Sequence, residues 1–189
     1  MVKIGRSVYG FGCVIYIQDD SIDEIHTILH PSIYLYKAYV GKIRNPRDIT
    51  STDSEVNLIE LSGRSRADWM YFNNSEIGKI ELGGRSQAWM DFHSSKAGEI
   101  KLSDNSKAYS INLINSKADL IESYDNSEFS LYLKGNSKLE KLLSSQNSKI
   151  NIYVESEARI EDFEGDIQLL RRSQIEGEIP KKLEQIIGK

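Results

Sequence analysis

Cysteine is almost absent: Cys13 is the single thiol in 189 residues. One cysteine excludes an intrachain disulfide framework and any zinc site built from several thiolates. Histidine is scarce too, with only His26, His30 and His93. Neither sign of charge dominates, since 24 basic residues stand against 28 acidic ones for a formal net charge of −4. That balance gives no basic footprint for nucleic acid and is too mild for an acidic mimic of DNA or a disordered tail. No apolar run approaches the roughly 18 residues of a membrane span. The opening stretch MVKIGRSVYGFGCVIYIQDD starts basic, but its apolar part is broken by Tyr and Gly and offers no small-residue cleavage motif, so no signal peptide is expected. The expected setting is the cytoplasm, or a phage or virion. Proline occurs three times, while Ser, Asn, Ile and Lys are abundant. The length suits one domain with a real core.

What the chain does have is an internal repeat. From about residue 56 to residue 163 a serine recurs, usually after Asn, Arg or Ser: Ser65, Ser75, Ser86, Ser95, Ser106, Ser116, Ser127, Ser137, Ser148 and Ser156. The spacings run 10, 11, 9, 11, 10, 11, 10, 11 and 8, so that pairs of spacings give a period of 20 or 21. A fixed period of this size marks a repeat architecture.

The two half-repeats differ in rhythm. One alternates strictly, as in Ser86, Ala88, Met90, Phe92 and in Ser127, Phe129, Leu131, Leu133 or Ser148, Ile150, Ile152, Val154. That is the period of a strand with one buried face. On the same template Ser65, Ala67, Trp69 and Tyr71 point inward. The other half-repeat inserts a residue, as in Ser75, Ile77, Ile80, Leu82 and Ser95, Ala97, Ile100, Leu102, which is how a corner or bulge reads. Gly78 and Gly98 occupy that break in two copies. After Ser106 the template fails: Ile111 and Leu113 fall on the outward phase, which signals either a bulge or a locally apolar outer face.

A unit of two short strands cannot bury its apolar face alone and must stack on its neighbours. The expected fold is therefore mainly β: a single-chain parallel β-solenoid of about five 21-residue coils, a rod roughly 24 Å long at ordinary strand spacing. The general preference of parallel crossovers makes a right-handed β-helix the expected hand. Stacking would align Asn74, Asn105, Asn115, Asn126, Asn136 and Asn147 as amide ladders at the corners, with the serines as small inward columns. Residues 1–50 lack the repeat and read as an N-terminal α/β cap, with a helix over SIDEIHTILH (N-cap Ser21, apolar stripe Ile22, Ile25, Ile28, Leu29) ended by Pro31. The solenoid is expected over 51–165. A C-terminal cap over 166–189 includes a short helix begun near Pro180 and stopped near Gly188.

The run IELSGRSRADWMYFNNSEIGKIELGGRSQAWMDF resembles the repeats of the head GIN-type adhesin domains, bacterial β-helices built on I-x-L-S-G-x-S. Ile59, Leu61, Gly63 and Ser65 match, as do Ile80, Leu82, Gly84 and Ser86. Ile100, Leu102 and Ser106 continue the pattern, with Asp104 and Asn105 in place of the glycine. The resemblance covers the repeat region, about half the chain, and implies the β-helical fold without supplying a catalytic residue. The export signal or lipid anchor usual in that family is not read here.

Candidates for chemistry are few. His26 and His30 lie four apart on the expected helix, a spacing that lets two imidazoles share a metal, but no cysteine accompanies them. The neighbouring Asp19, Asp20, Asp23 and Glu24 read more simply as helix N-terminal charge. His93 reads as a solvated corner residue and Cys13 as a small core residue. Gly10-Phe11-Gly12 lacks the G-K-[ST] of a phosphate loop. Asp68 and Asp91, the nearest thing to a carboxylate pair, stand at different offsets from their serines. No metal or cofactor is expected, and an enzyme is not the leading reading.

The outward positions are more informative. In the broken half-repeat they are Glu76, Lys96, Lys117, Lys138 and Glu157, with Glu81, Lys101 and Glu122, an ordinary solvated face. In the alternating half-repeat they include Met70, Trp89, Tyr109, Ile111, Tyr132 and Tyr153. That set is the expected binding face, for a protein partner, for another copy in a homo-oligomer, or for a glycan. The alternatives are that residues 1–50 cover the face or that register slips turn some of these side chains inward. The leading function is a non-enzymatic binding or scaffold protein. The others are a carbohydrate-binding or carbohydrate-cleaving β-helix and a viral, phage or surface structural rod.

Overall fold

The computed structural model describes residues 7–10, 14–27, 31–145, 147–165, 168–169 and 174–187. Six strands precede residue 53: β1 (Ser7–Gly10), β2 (Val14–Gln18), β3 (Ser21–Thr27), β4 (Ser32–Tyr36), β5 (Tyr39–Arg44) and β6 (Asp48–Thr52). Then follow β7 (Glu55–Leu61), β8 (Arg66–Asn73), β9 (Glu76–Leu82), β10 (Gln87–His93), β11 (Lys96–Leu102) and β12 (Lys107–Ile114). The series ends with β13 (Lys117–Ser123), β14 (Glu128–Lys134), β15 (Lys138–Ser144), β16 (Lys149–Val154), β17 (Arg159–Gly165), β18 (Gln168–Leu169), β19 (Gln174–Ile175) and helix α1 (Lys181–Ile187).

Odd-numbered strands β1 to β17 stack in sequence order into a first sheet of nine. Even-numbered strands β2 to β18 form the second, where β19 also joins β16. Every pairing is parallel. The chain thus winds from one sheet to the other and back, a parallel β-solenoid. Nine rungs at ordinary strand spacing make a rod roughly 38 Å long. Between β7 and β17 the coil is 20 or 21 residues, as Glu76 pairs with Lys96, Lys96 with Lys117 and Lys117 with Lys138.

The solenoid does not wait for residue 51. Ser32 pairs with Asp48 and Tyr39 with Glu55, coils of 16 residues, while Val14 pairs with Ser32 and Ser21 with Tyr39, coils of 18. The helix expected over Ser21–His30 is strand β3 as far as Thr27, and residues 28–30 lie outside the described residues. The reason is periodicity. From β3 to β17 every first-sheet strand places two residues, not one, between its first two inward positions, as in Ile77 to Ile80 or Val56 to Ile59. Ile22 and Ile25 are the same pair, both buried, and their spacing of three mimics one turn of an amphipathic helix.

The core is a set of columns. Met70, Met90, Ile111, Leu131 and Ile152 stack along the second sheet, beside Phe72, Phe92, Leu113, Leu133 and Val154. Phe72 and Phe92 stack at 4.8 Å between ring centroids. Where phenylalanine leaves that column after Phe92, Phe129 replaces alanine in the column of Ala67, Ala88 and Ala108, so bulk moves across the core while the strands keep their spacing.

The recurring serines explain themselves at the corner between second and first sheet. The chain turns there through one left-handed residue, Asp53, Asn74, Ser94 or Asn115, and enters the next strand through a buried serine. The backbone N–H of each serine donates to the hydroxyl of the serine one coil on: Ser54 to Ser75 (3.3 Å), Ser75 to Ser95 (3.0 Å), Ser95 to Ser116 (3.0 Å) and Ser116 to Ser137 (3.2 Å). Each hydroxyl in turn donates to a carbonyl just upstream in its own coil, Ser75 to Asn73 (2.9 Å) and Ser95 to His93 (2.8 Å). Ala38 joins through its N–H to Ser54 Oγ at 3.0 Å. At this corner a serine ladder stands where an asparagine ladder is expected: Asn74 Nδ2 reaches Asp53 and the Asn136 N–H reaches Asn115 Oδ1, but among the described residues the amides form no continuous column. The opposite corner is a β-turn closed by the next serine, as in Ser106 N–H to the Ser103 carbonyl (3.1 Å). Asp104 and Asn105 both adopt positive φ there, as a type I′ turn requires. In the corresponding earlier turns Gly63 and Gly84 take the first of those places.

At the far end, the tail covers the last coil. Glu176 and Glu178 N–H groups donate to Val154 and Ala158 carbonyls, and Leu183 of α1 is buried in the core. The helix begins beside Pro180, whose carbonyl accepts from Leu183 and Glu184. Gly188 and Cys13 lie outside the described residues.

Ser95→Ala removes the acceptor of the Ser75 N–H and leaves that donor buried without a partner, which costs about 1–3 kcal/mol. Chemical denaturation is expected to show that loss. The exposed Ser94, one residue earlier, is expected to tolerate Asn or Gly within about 0.5 kcal/mol.

Candidate functional site

The two outer faces differ in kind. The first sheet carries cross-coil ion pairs along the rod: Lys42–Glu60 (2.7 Å), Lys79–Glu99 (3.1 Å), Lys96–Glu76 (3.1 Å), Lys117–Glu140 (2.7 Å), Lys138–Glu161 (3.0 Å) and Lys141–Glu164 (3.0 Å). In two of these pairs, Lys117–Glu140 and Lys141–Glu164, the lysine is raised and the glutamate lowered, the stabilising direction for both. Hydrogen bonding to Glu140 and then Asp119 raises Lys117 to about 12, while the same lysine lowers Glu140. Lys42 lowers Glu60, and Lys141 lowers Glu164.

The second sheet adds stacked aromatic side chains to fewer ion pairs, among them Arg66–Asp68 and Lys107–Glu128. Tyr16 stacks on Tyr34 (4.9 Å between centroids), Trp89 on Tyr109 (4.0 Å, 17° between planes) and Tyr132 on Tyr153 (4.6 Å, 3°). Two of these stacks follow from parallel register, which pairs Tyr16 with Tyr34 and Tyr132 with Tyr153, whereas Trp89 pairs with Ser110 and stacks on the bulged Tyr109 beside it. Cations sit against the rings, with Arg66 5.1 Å from the Trp89 ring and Lys107 4.9 Å from the Tyr109 ring. Tyr109 also donates from its hydroxyl to Gln87 Oε1 at 3.0 Å.

Of the six residues expected on this face, Trp89, Tyr109, Tyr132 and Tyr153 lie there, each partly exposed. Met70 and Ile111 do not. Both are fully buried, each displaced inward by a bulge one or two residues earlier in its strand. The bulge that Ile111 signalled is thus the answer to the broken third copy, and the first copy has the same one. It turns Trp69 outward (53% exposed) and puts Met70 and Phe72 inside in place of Trp69 and Tyr71. The signal was in the spacing. Ser86 to Ser95 is nine residues and alternates cleanly, whereas Ser65 to Ser75 and Ser106 to Ser116 are ten and must place one residue out of phase. Ser127 to Ser137 is also ten, and there the extra residue goes into the turn at Gly135, φ +58°. Tyr16, Tyr34 and Tyr36 extend the aromatic face into the short early coils.

The two carboxylates considered for acid–base work are both engaged by neighbours. Asp68 is held by Arg66 (2.7 Å), and Asp91 accepts from Asn112. His93 is outward and partly exposed, its ring 5.0 Å from Tyr71. His26 belongs to strand β3 and not to a helix, and His30 lies outside the described residues. Among the described residues no group of three or more His, Cys, Asp or Glu could hold a metal ion. No helix among them is long and apolar enough to cross a membrane.

No protein-family model, curated protein or solved structure matches this chain. The I-x-L-S-G repeats therefore support the solenoid and not membership of the adhesin-type family.

The ion pairs predict a plateau of stability against pH. Glu60, Glu140 and Glu164 are lowered, so their contribution is present above the usual value of 4.5 and is lost as pH falls through their folded values. Lys79, Lys96, Lys117 and Lys141 are raised, so theirs is present below 10.5 and is lost as pH rises through the folded values, about 12 for Lys117. Melting temperature is expected to be flat from about pH 5 to pH 10 and to drop on both sides, with the drop shallower at about 1 M salt.

Proposed function

We propose that this protein is a non-catalytic binding scaffold that uses the outer face of the second sheet as its contact surface. The observation that carries the reading is the division of labour between the faces. The first sheet spends its outward positions on paired charges, the ordinary solution for a strand surface in water. The second sheet repeats Tyr and Trp over most of its length, from Tyr16 to Tyr153. Aromatic side chains supply large contact area at low conformational cost and keep a polar tip for hydrogen bonding. Parallel stacking holds them rigidly, so little ordering is required when a partner arrives.

Early strands pair within the sheets, and Trp69, Tyr16 and Tyr34 are exposed on the same face. A second copy of the chain and a different protein are both partners that such a face suits. The adhesin-like label rests on the repeat motif alone and adds nothing to this choice.

The test is light scattering coupled to size exclusion on the wild type and on a Trp89→Ser, Tyr132→Ser double variant. An oligomeric wild type and a folded monomeric variant are the expected result if the partner is a second copy. Trimeric or fibrous assembly points to a structural rod. Two folded monomers direct the search to a foreign partner by pull-down. Loss of folding in the variant shows that these rings serve the core, and sinks the contact-face reading.

A further inference from the structure

The aromatic face is interrupted at Ser130 and Asn151, on two neighbouring rungs, and the interruption has the chemistry of a sugar site. The Trp89–Tyr109 stack runs along one column of the second sheet, and the Tyr132–Tyr153 stack along another. On β14, the strand after Tyr109, the residue opposite the Tyr109–Ser110 bulge is the small Ser130, and on β16 it is Asn151. Small side chains at these two rungs leave an open cleft of about 340 Å³ bounded by Tyr109, Tyr132 and Tyr153 and floored by Ser130 and Asn151.

The floor carries an unmet demand. Asn151 is 8% exposed, and its Nδ2 donates to Ser130 Oγ at 3.2 Å. Its Oδ1 is buried with no hydrogen-bond partner among the described residues. A buried amide oxygen without a donor is rare and costly in a folded protein. A ligand hydroxyl is the donor it lacks. The charged pair at the rim, Lys107–Glu128 at 3.0 Å, neutralises itself, so the cleft makes no net demand for an ion.

The geometry points to a single neutral pyranose ring as the ligand of this cleft. Its C–H faces suit the tyrosine walls, and its equatorial hydroxyls suit Ser130, Asn151 and the outer Glu128 oxygen. The volume of about 340 Å³ is ample for one ring, and an oligosaccharide would enter by one residue with the rest lying over the aromatic face. This assignment rests on the second sheet being a contact face and names the ligand for one part of it.

The experiment is an NMR titration of the full chain with methyl β-D-glucopyranoside, methyl β-D-galactopyranoside, methyl α-D-mannopyranoside and N-acetyl-D-glucosamine, with adenosine as the planar aromatic comparison. At least one sugar is expected to saturate, with its shifts centred on Tyr109, Ser130 and Asn151. Ser130→Tyr, which fills the open rung with a ring of the chain's own, is expected to weaken binding at least tenfold. Asn151→Ala is expected to weaken it several-fold, and Glu161→Gln, on the outer face of the first sheet, to leave it unchanged. Circular dichroism checks each fold, and Tyr109→Ala probes the same cleft should Ser130→Tyr fail to fold. Absence of saturation by every sugar, saturation by adenosine alone, or sugar binding that survives Ser130→Tyr overturns the assignment. If the sugars fail while the Trp89→Ser, Tyr132→Ser variant still changes assembly, the cleft is lost and the contact face stands. If a sugar binds through this cleft while that variant changes neither assembly nor partner capture, the cleft stands and the wider face is lost.

Discussion

A backbone that changes direction inside a closed coil must still find partners for its N–H groups, and that requirement organises this molecule. At the corner leading into the first sheet the donor points along the rod, and the acceptor it finds is a serine hydroxyl one coil away. The hydroxyl is small enough to be buried, and it donates to a carbonyl of its own coil. It therefore closes its own turn and fastens it to the neighbour in one step. Larger polar side chains would not fit inside the corner, and alanine would leave the donor unmet. Once that column is in place, the strands that leave it are in register, and the core columns and the outer ladders follow from parallel pairing.

Register has different consequences inside and outside. Inside, it demands that neighbouring coils share volume, which the exchange of Phe92 for Phe129 between columns achieves. Outside, it places like positions side by side, where like charges would repel. On the first sheet the answer is diagonal pairing, Lys117 reaching Glu140 and Asp119 at once. On the second sheet the answer is to stack rings, which attract each other at that spacing. The contrast between the faces is thus two solutions to one geometrical problem.

The repeat was legible because its chemistry is obligatory. Serines at 20- or 21-residue intervals with apolar residues in fixed phase state both the coil and the sheet each strand belongs to. The short early coils were not legible, because their corners use Ala38, with Asp19 and Lys37 left-handed, in place of the Asn-Ser pair, and because Ile22 and Ile25 share the spacing of a helical turn. Four members of the aromatic face were readable from alternation. Met70 and Ile111 were misplaced because alternation has no place for a bulge, although the ten-residue half-repeats recorded the extra residue. The cleft over Asn151 was invisible for another reason. It is made by the absence of a large side chain at Ser130, and an absence acquires shape only when the coils are stacked.

The bonds that tie each serine to its counterpart reach one coil and no further, so the axial positions of the aromatic groups are quantised. From the strand of Tyr34 to the strand of Tyr132 there are five steps of the ladder, about 24 Å at ordinary strand spacing. Deleting or duplicating one 21-residue module within β9 to β15 would leave every hydroxyl facing a counterpart and would move one aromatic group relative to the other by about 4.8 Å. The rod is in this sense a molecular ruler, whose graduation is the strand spacing and whose reading can be changed by recombination between repeats without redesign of the core.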